Sequence, residues 1–244
     1  MIIRVLKVLG FMFLSLVGFV RLKLMGGDGE AWLLQRFRAW TDYVLGVFTV
    51  DLTIVGREHF PPAGGRRIII MSNHQSQLDI PCLTKAADRV TGFVAKRELS
   101  RIPLLNYWMK QIGCVIIDRS DKRGAHQALE KAAREMGGKP LVVFPEGTRS
   151  KDGALLPFKL GGTRLALLAQ AVIVPVLIEG SRDAVENRKR RVAGQGSGAG
   201  DGLIPVRLTI FPPLDAQGLD ESKASQTKIK EYVERCWHGR SEPS

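Results

Sequence analysis

From Val50 onward, short apolar runs of strand-like length alternate with amphipathic stretches of helical period, and this alternation restricts the chain to few architectures. Residues 49–55, 67–71, 91–95, 114–117, 141–144, 172–178 and 206–211 read as strands. Residues 78–87, 104–112, 123–136 and 163–170 read as the helices between them, and 222–238 as a closing amphipathic helix. Strands interleaved with helices predict an α/β fold: a mixed, largely parallel central sheet of about seven strands flanked by helices. A chain of 244 residues supplies one sizeable core, and 25% charged residues against 45% hydrophobic ones fit a folded protein.

The formal net charge of +12 draws polyanions: nucleic acid, anionic lipid headgroups, or acidic carriers and cofactors. Nucleic acid is not expected, because the one dense basic cluster, Arg188 to Arg191, lacks interleaved aromatics for stacking. That cluster runs into a Gly-rich stretch, so residues 186–203 are expected to form a mobile loop. Cys82, Cys114 and Cys236 are odd in number, far apart and without metal-ligand spacing, which argues against a disulfide framework or a metal site and fits a reducing cytoplasmic setting.

Residues 1–25 are strongly apolar, yet Arg4, Lys7, Arg21 and Lys23 leave only the 13 residues from Val8 to Val20 free of charge. A spanning helix wants about 20 apolar residues. A secretory signal would need a small-residue cleavage site, and apolar residues follow instead. After a glycine-rich break, Trp32, Leu33, Phe37, Trp40, Val44 and Leu45 recur at near-helical spacing. Two such helices suit a hairpin lying in the bilayer interface, with Trp32 and Trp40 at the lipid boundary; packing on the domain core is the other reading. The expected division is 1–48 as a two-helix membrane-associating motif and 49–244 as the catalytic domain.

Two segments carry chemistry. Ser72-Asn73-His74-Gln75-Ser76-Gln77-Leu78-Asp79 follows an apolar strand, where α/β folds place ligands. Residues five apart on an ideal helix lie about 140° from each other, so His74 belongs to the loop before the helix, with Asp79 reaching back. An imidazole so placed can take a proton from an alcohol while the carboxylate fixes its tautomer. The alternative is a helix cap at Asn73 or Ser76 with a bystander histidine. Phe144-Pro145-Glu146-Gly147-Thr148-Arg149-Ser150 also follows an apolar strand. Gly147 permits close backbone approach, Thr148 and Ser150 offer hydroxyls, and Arg149 offers a fork matching phosphate, so the segment reads as an anion clamp or as an ordinary glycine turn.

Together the two segments resemble the signatures of the phospholipid and glycerol acyltransferase superfamily: Asn-His-x-x-x-x-Asp and, about 70 residues later, Phe-Pro-Glu-Gly-Thr-Arg-Ser. The resemblance continues through Ala95-Lys96-Arg97-Glu98-Leu99, Ile102-Pro103, residues 113–119, Pro157-Phe158-Lys159-Leu160-Gly161 and Ile173-Val174-Pro175-Val176, covering roughly residues 50–180. It implies that His74 is the general base and Asp79 its orienting partner. It implies that Glu146, Gly147, Thr148 and Arg149 bind the acceptor's glycerol phosphate, with Lys96 and Arg119 at positions also linked to acceptor or phosphate binding. Pro175 would shape the site, as a strand proline usually marks an edge or a bulge. Asn106 stands where many members have glycine.

The implied reaction moves a fatty acyl group from acyl-CoA or acyl carrier protein thioester to the sn-2 hydroxyl of lysophosphatidic acid, with no bound cofactor and no metal. Other acceptors of the same kind, such as a lyso-ornithine lipid, and a non-catalytic lipid-binding protein on the same fold are the alternatives. The implied place is the cytoplasmic face of the inner or cell membrane, against an anionic lipid surface. Cys82 and Cys114 could in principle carry an acyl group, but neither sits in a nucleophile motif.

Overall fold

The computed structural model describes residues 2–24, 26, 28–118, 121–185 and 202–239. Its strands are β1 (Val50–Val55), β2 (Ile68–Ser72), β3 (Gly92–Lys96), β4 (Val115–Ile117), β5 (Leu141–Val143), β6 (Val172–Glu179), β7 (Ile204–Ile210) and β8 (Leu214–Asp215). Its helices are α1 (Ile2–Leu24), α2 (Gly29–Val47), α3 (Asp79–Ala87), α4 (Pro103–Gln111), α5 (Lys122–Glu135), α6 (Gly161–Leu168) and α7 (Lys223–His238). Helix starts follow local chemistry. Asp28 caps α2 by accepting from Glu30 N at 2.8 Å and Ala31 N at 3.2 Å, and Ser222 caps α7 by accepting from Ser225 N at 3.1 Å. Pro103 opens α4, where its missing N–H costs nothing.

The sheet order is β1-β7-β6-β2-β5-β3-β4, with β8 on β6. β2 pairs parallel with β5 and β6, β3 pairs parallel with β5 and β4, and β6 pairs antiparallel with β8. The expected α/β class and largely parallel sheet are therefore present, with one strand more than the seven expected. β8 escapes periodicity because it is two residues long and follows Pro212-Pro213. Every residue of β2 is buried, as a central strand covered on both faces requires. Pro175 lies inside β6, an interior strand and not an edge; beside it Phe211 N donates to Pro175 O at 3.0 Å, where the break between β7 and β8 begins.

The chain divides into two compact units. The larger, formed by Ile54–Gln75, Thr91–Ile178 and Leu208–Ser244, is built on an apolar cluster in which Ile69, Met71, Leu165, Ile173, Ile229 and Val233 are fully buried. α7 presents the stripe expected of it, with Ile229, Val233 and Trp237 buried.

The smaller unit, formed by Met1–Thr53, Ser76–Val90 and Glu179–Arg207, contains α1, α2 and α3. α2 buries Leu33, Phe37, Thr41, Val44 and Leu45 between its two neighbouring helices. Arg38 and Asp88 form a two-pronged ion pair between α2 and the end of α3 (2.9 and 3.0 Å). The two indoles expected at a lipid boundary are half-buried within this unit: Trp32 tilts against Phe19 at 5.3 Å and Trp40 stacks on Phe37 at 5.8 Å. α1 differs. Ile3, Leu6, Phe13, Leu14, Val17 and Leu24 are each more than half exposed, and the helix is long and apolar enough to cross a membrane by length and composition. The basic, Gly-rich segment expected to be a mobile loop, 186–203, lies outside the described residues up to residue 201.

Candidate active site

Because β2, β3, β4, β5 and β6 run parallel, the segments following them leave the same edge of the sheet. This is where such folds bind ligands. The β2–β6 register ends at Ser72 against Val176. Asn73, 1% exposed, then continues the ladder with its side chain: Nδ2 donates to Ile178 O at 2.9 Å and Oδ1 accepts from Ile178 N at 2.8 Å. The side-chain amide thus stands in for a backbone pair and satisfies both polar groups of a buried residue. It is spent there and caps no helix.

His74, half-buried, follows at once. Its carbonyl oxygen accepts from Ser150 N at 2.8 Å, and its ring stacks on Phe144 with centroids 3.9 Å apart at an interplanar angle of 15°. Gln75 Nε2 donates to Gly153 O at 3.2 Å. Both ends of the second signature segment therefore hold the histidine loop. Sequence alone separated them by about 70 residues; the parallel pairing of β2 with β5 brings them together.

Within that segment the turn is closed by Gly147 N donating to Phe144 O at 3.0 Å, with Gly147 at φ +72°, a conformation that disfavours any side chain. A Cβ at 147 would lie 2.9 Å from Lys159 Nζ, so the Lys159 ammonium covers this turn, and Lys159 N donates to Pro145 O at 3.0 Å. Glu146 is 1% exposed, whereas Thr148 and Arg149 are exposed. Ser150 departs from the donor role read from sequence: it is buried, its hydroxyl donates to Asp152 Oδ1 at 3.0 Å and accepts from Gly153 N at 3.0 Å. Its proton is used to build the loop. Lys96 is exposed at the end of β3, paired in register with Ile117 of β4. Arg119 lies outside the described residues.

Asp79 opens α3 in the smaller unit and is fully buried. Its Oδ2 accepts from Ser76 N at 2.9 Å, and its Oδ1 accepts from Ser181 Oγ at 2.5 Å. Ser76 Oγ accepts from Leu78 N at 3.2 Å. Leu78 holds the N-cap position of α3 without a side-chain cap bond, so the Ser76–Asp79 bonds close the turn ahead of the helix, and the helix cap read as an alternative at Ser76 is not formed.

The thiols are held neutral. Burial raises Cys82, helped by the negative charge of Asp79, and burial pushes Cys114 up to about 11 against the opposing backbone hydrogen bond at Phe93. No group of three or more His, Cys, Asp or Glu residues with metal-binding geometry occurs among the described residues. Sequence reading did not single out Phe144 as a ring support, Lys159 as a cation over the turn, or Ser181 as a partner of Asp79. A serine just beyond the carboxyl end of a parallel strand was the available signal for Ser181.

The chain is similar to known proteins in both sequence and structure. The chain is 33% identical over 192 residues to the 1-acyl-sn-glycerol-3-phosphate acyltransferase of Limnanthes douglasii, covering 78% of this chain and 62% of that protein. It is 31% identical over 177 residues to the human 1-acyl-sn-glycerol-3-phosphate acyltransferase alpha, covering 71% and 58%. The chain thus spans about three-fifths of the length of these curated relatives. The crystal structure of the 1-acyl-sn-glycerophosphate acyltransferase of Thermotoga maritima superposes with a TM-score of 0.69 at 26% identity, covering 100% of this chain and 98% of that one. The Acyltransferase family model matches residues 51–179, more than half of the sequence and the stretch that carries both signature segments, and the chain belongs to that family.

Proposed function

We propose that this protein transfers a fatty acyl group from an acyl thioester to the sn-2 hydroxyl of 1-acylglycerol 3-phosphate, giving phosphatidic acid. The observation that carries the reading is the locking of the His74 loop onto the Phe144–Ser150 segment through Ser150 N and the Phe144 ring, which puts a candidate base beside a candidate phosphate clamp. The names of the related proteins supply the acceptor.

His74 removes the hydroxyl proton as the acceptor oxygen attacks the thioester carbonyl carbon, and Asp79 fixes the imidazole and stabilises the imidazolium. When the tetrahedral intermediate collapses the C–S bond breaks, and the departing thiolate takes the proton from His74. Backbone N–H groups stabilise the transient oxyanion. Arg149 and Thr148, both exposed, contact the acceptor's glycerol phosphate together with Glu146, Gly147 allows close approach, and the buried Ser150 hydroxyl holds the loop. Lys96 and Arg119 add positive charge toward the same headgroup. Residues 1–48 form the membrane-associating motif, supported by the exposed apolar face of α1, and hold the enzyme to the anionic cytoplasmic face of the cell membrane.

The test is a transfer assay over a panel of lysophosphatidic acid, other lysophospholipids and lyso-ornithine lipid, each with acyl-CoA and with acyl carrier protein thioester. Lysophosphatidic acid is expected to give the highest kcat/KM. Replacement Arg149→Ala should raise the acceptor KM about ten-fold or more, the loss of one bidentate charged contact. Equal use of a phosphate-free acceptor by the unaltered protein would refute the clamp. No transfer to any acceptor would leave a lipid-binding protein on this fold.

A further inference from the structure

We infer that Ser181 is a positioning residue of the transfer reaction, acting through Asp79 as the third member of a His74, Asp79, Ser181 series. The inference rests on the reading of His74 and Asp79 given above.

Ser181 and Asp79 are 102 residues apart in sequence, and both are fully buried. The hydroxyl has one proton, and it goes to Asp79 Oδ1 at 2.5 Å. With Oδ2 accepting from Ser76 N, each carboxylate oxygen has one fixed donor, which sets the rotation of the group about its Cβ–Cγ bond. A carboxylate whose rotation is fixed in this way also fixes the directions from which it can accept an imidazole N–H. A charged hydrogen bond in a buried surrounding is among the stronger ones, and a neutral donor such as a serine hydroxyl holds the carboxylate without neutralising its charge.

The local backbone is shaped to deliver this hydroxyl. Ser181 follows Gly180, which sits at φ +84° directly after β6, and a Cβ at 180 would lie 2.5 Å from Pro205 O. Only glycine fits there without moving β7. The turn is closed by Asp183 N donating to Gly180 O at 3.1 Å. A strand end, a glycine and a turn thus converge to present one buried hydroxyl to one buried carboxylate.

The test uses the full chain and follows kcat and the acceptor KM separately. Ser181→Ala should lower kcat about ten-fold while the KM for lysophosphatidic acid stays within two-fold, the size expected of one charged hydrogen bond that matters to the base in the transition state. A kcat within two-fold of the unaltered protein, or a rise in KM matching the fall in kcat, overturns the inference. If the alanine variant does not fold, Ser181→Cys carries the test, since it keeps the size and substitutes a weak donor. A lowered kcat with unchanged KM then supports the role, and an unaltered kcat overturns it. His74→Ala measured in parallel separates the two levels: full turnover there defeats the underlying catalytic reading, whereas a dead His74→Ala beside a fully active Ser181→Ala defeats this inference alone.

Discussion

His74 is held by its neighbours' backbone and by a ring face, whereas Asp79 is held at both oxygens of its own side chain. Around the histidine, Asn73 pins the chain to Ile178, Ser150 N takes the His74 carbonyl oxygen, and Phe144 lies flat on the imidazole. None of these three contacts uses a ring nitrogen. Around the aspartate, Ser76 N and Ser181 Oγ each donate directly to the carboxylate. The difference matches the proposed roles. A base has to exchange a proton through a ring nitrogen, and contacts made by the backbone or by a ring face do not compete with that exchange. An orienting carboxylate keeps its charge throughout, so direct donors serve it.

This comparison can be broken most forcefully at the histidine. Replacing His74 by Ala removes the base, and turnover should fall on the order of a thousand-fold or more. The imidazole is half-buried and its backbone contacts survive the change, so thermal stability should move little. A large drop in Tm would show that the ring holds the loop together and is not free to do chemistry.

Asp79→Asn should cost both rate and stability. Turnover is expected to drop on the order of a hundred-fold or more through loss of the correct imidazole tautomer. Stability should fall by about 1–3 kcal/mol, because an amide group must now meet either the Ser181 hydroxyl or the Ser76 N–H with a donor. Denaturant titration beside steady-state kinetics distinguishes the two residues: rate alone at His74, rate and stability at Asp79. Equal stability losses at both positions would erase the contrast.

A smaller effect is expected at the ring support. Phe144→Leu keeps an apolar side chain but removes the flat face, and kcat should fall on the order of ten-fold through misorientation of His74, with about 1 kcal/mol lost in stability. An unchanged kcat would mean that Ser150 N and Asn73 are sufficient to place the imidazole.

The sequence reading reached one side of this contrast better than the other. The strands before both signature segments are apolar runs bounded by polar residues, so β2 and β5 were legible within a residue or two, and with them the loops that carry His74 and Arg149. Helix α3 was placed one residue early, at Leu78, since a buried leucine before Asp79 fits the apolar face equally well. Ser181 left only its place just beyond the carboxyl end of β6 as a signal. A lone serine after a glycine fits any turn, and its partner lies 102 residues away. The same limit explains the indoles. Periodicity showed that Trp32 and Trp40 lie on an apolar helix, but not that Phe19 and Phe37 would cover them. Nor did it show that α1 leaves much of its apolar surface exposed while α2 buries its stripe between two helices.

The smallest expected effect concerns the cysteines, and it bears on both halves at once, since a covalent acyl-thiol route would give His74 a different proton to remove. Cys82 is fully buried and its thiol is raised by burial and by the charge on Asp79. Cys114 is pushed up to about 11. At pH 7.5 that leaves a thiolate fraction for Cys114 on the order of one in several thousand, too small for a competent nucleophile. The sign is fixed: the reactive form grows as pH rises toward 11 and vanishes below neutrality, so neutral pH is where a thiol route is weakest. Treatment with iodoacetamide at pH 7.5 should leave turnover unchanged, and Cys114→Ala should keep kcat within two-fold. Rapid-mixing experiments should show no burst of free thiol product before acceptor is added. A burst that disappears in Cys114→Ala would replace direct transfer with a two-step mechanism, and His74 would then activate a sulfur and not the acceptor hydroxyl.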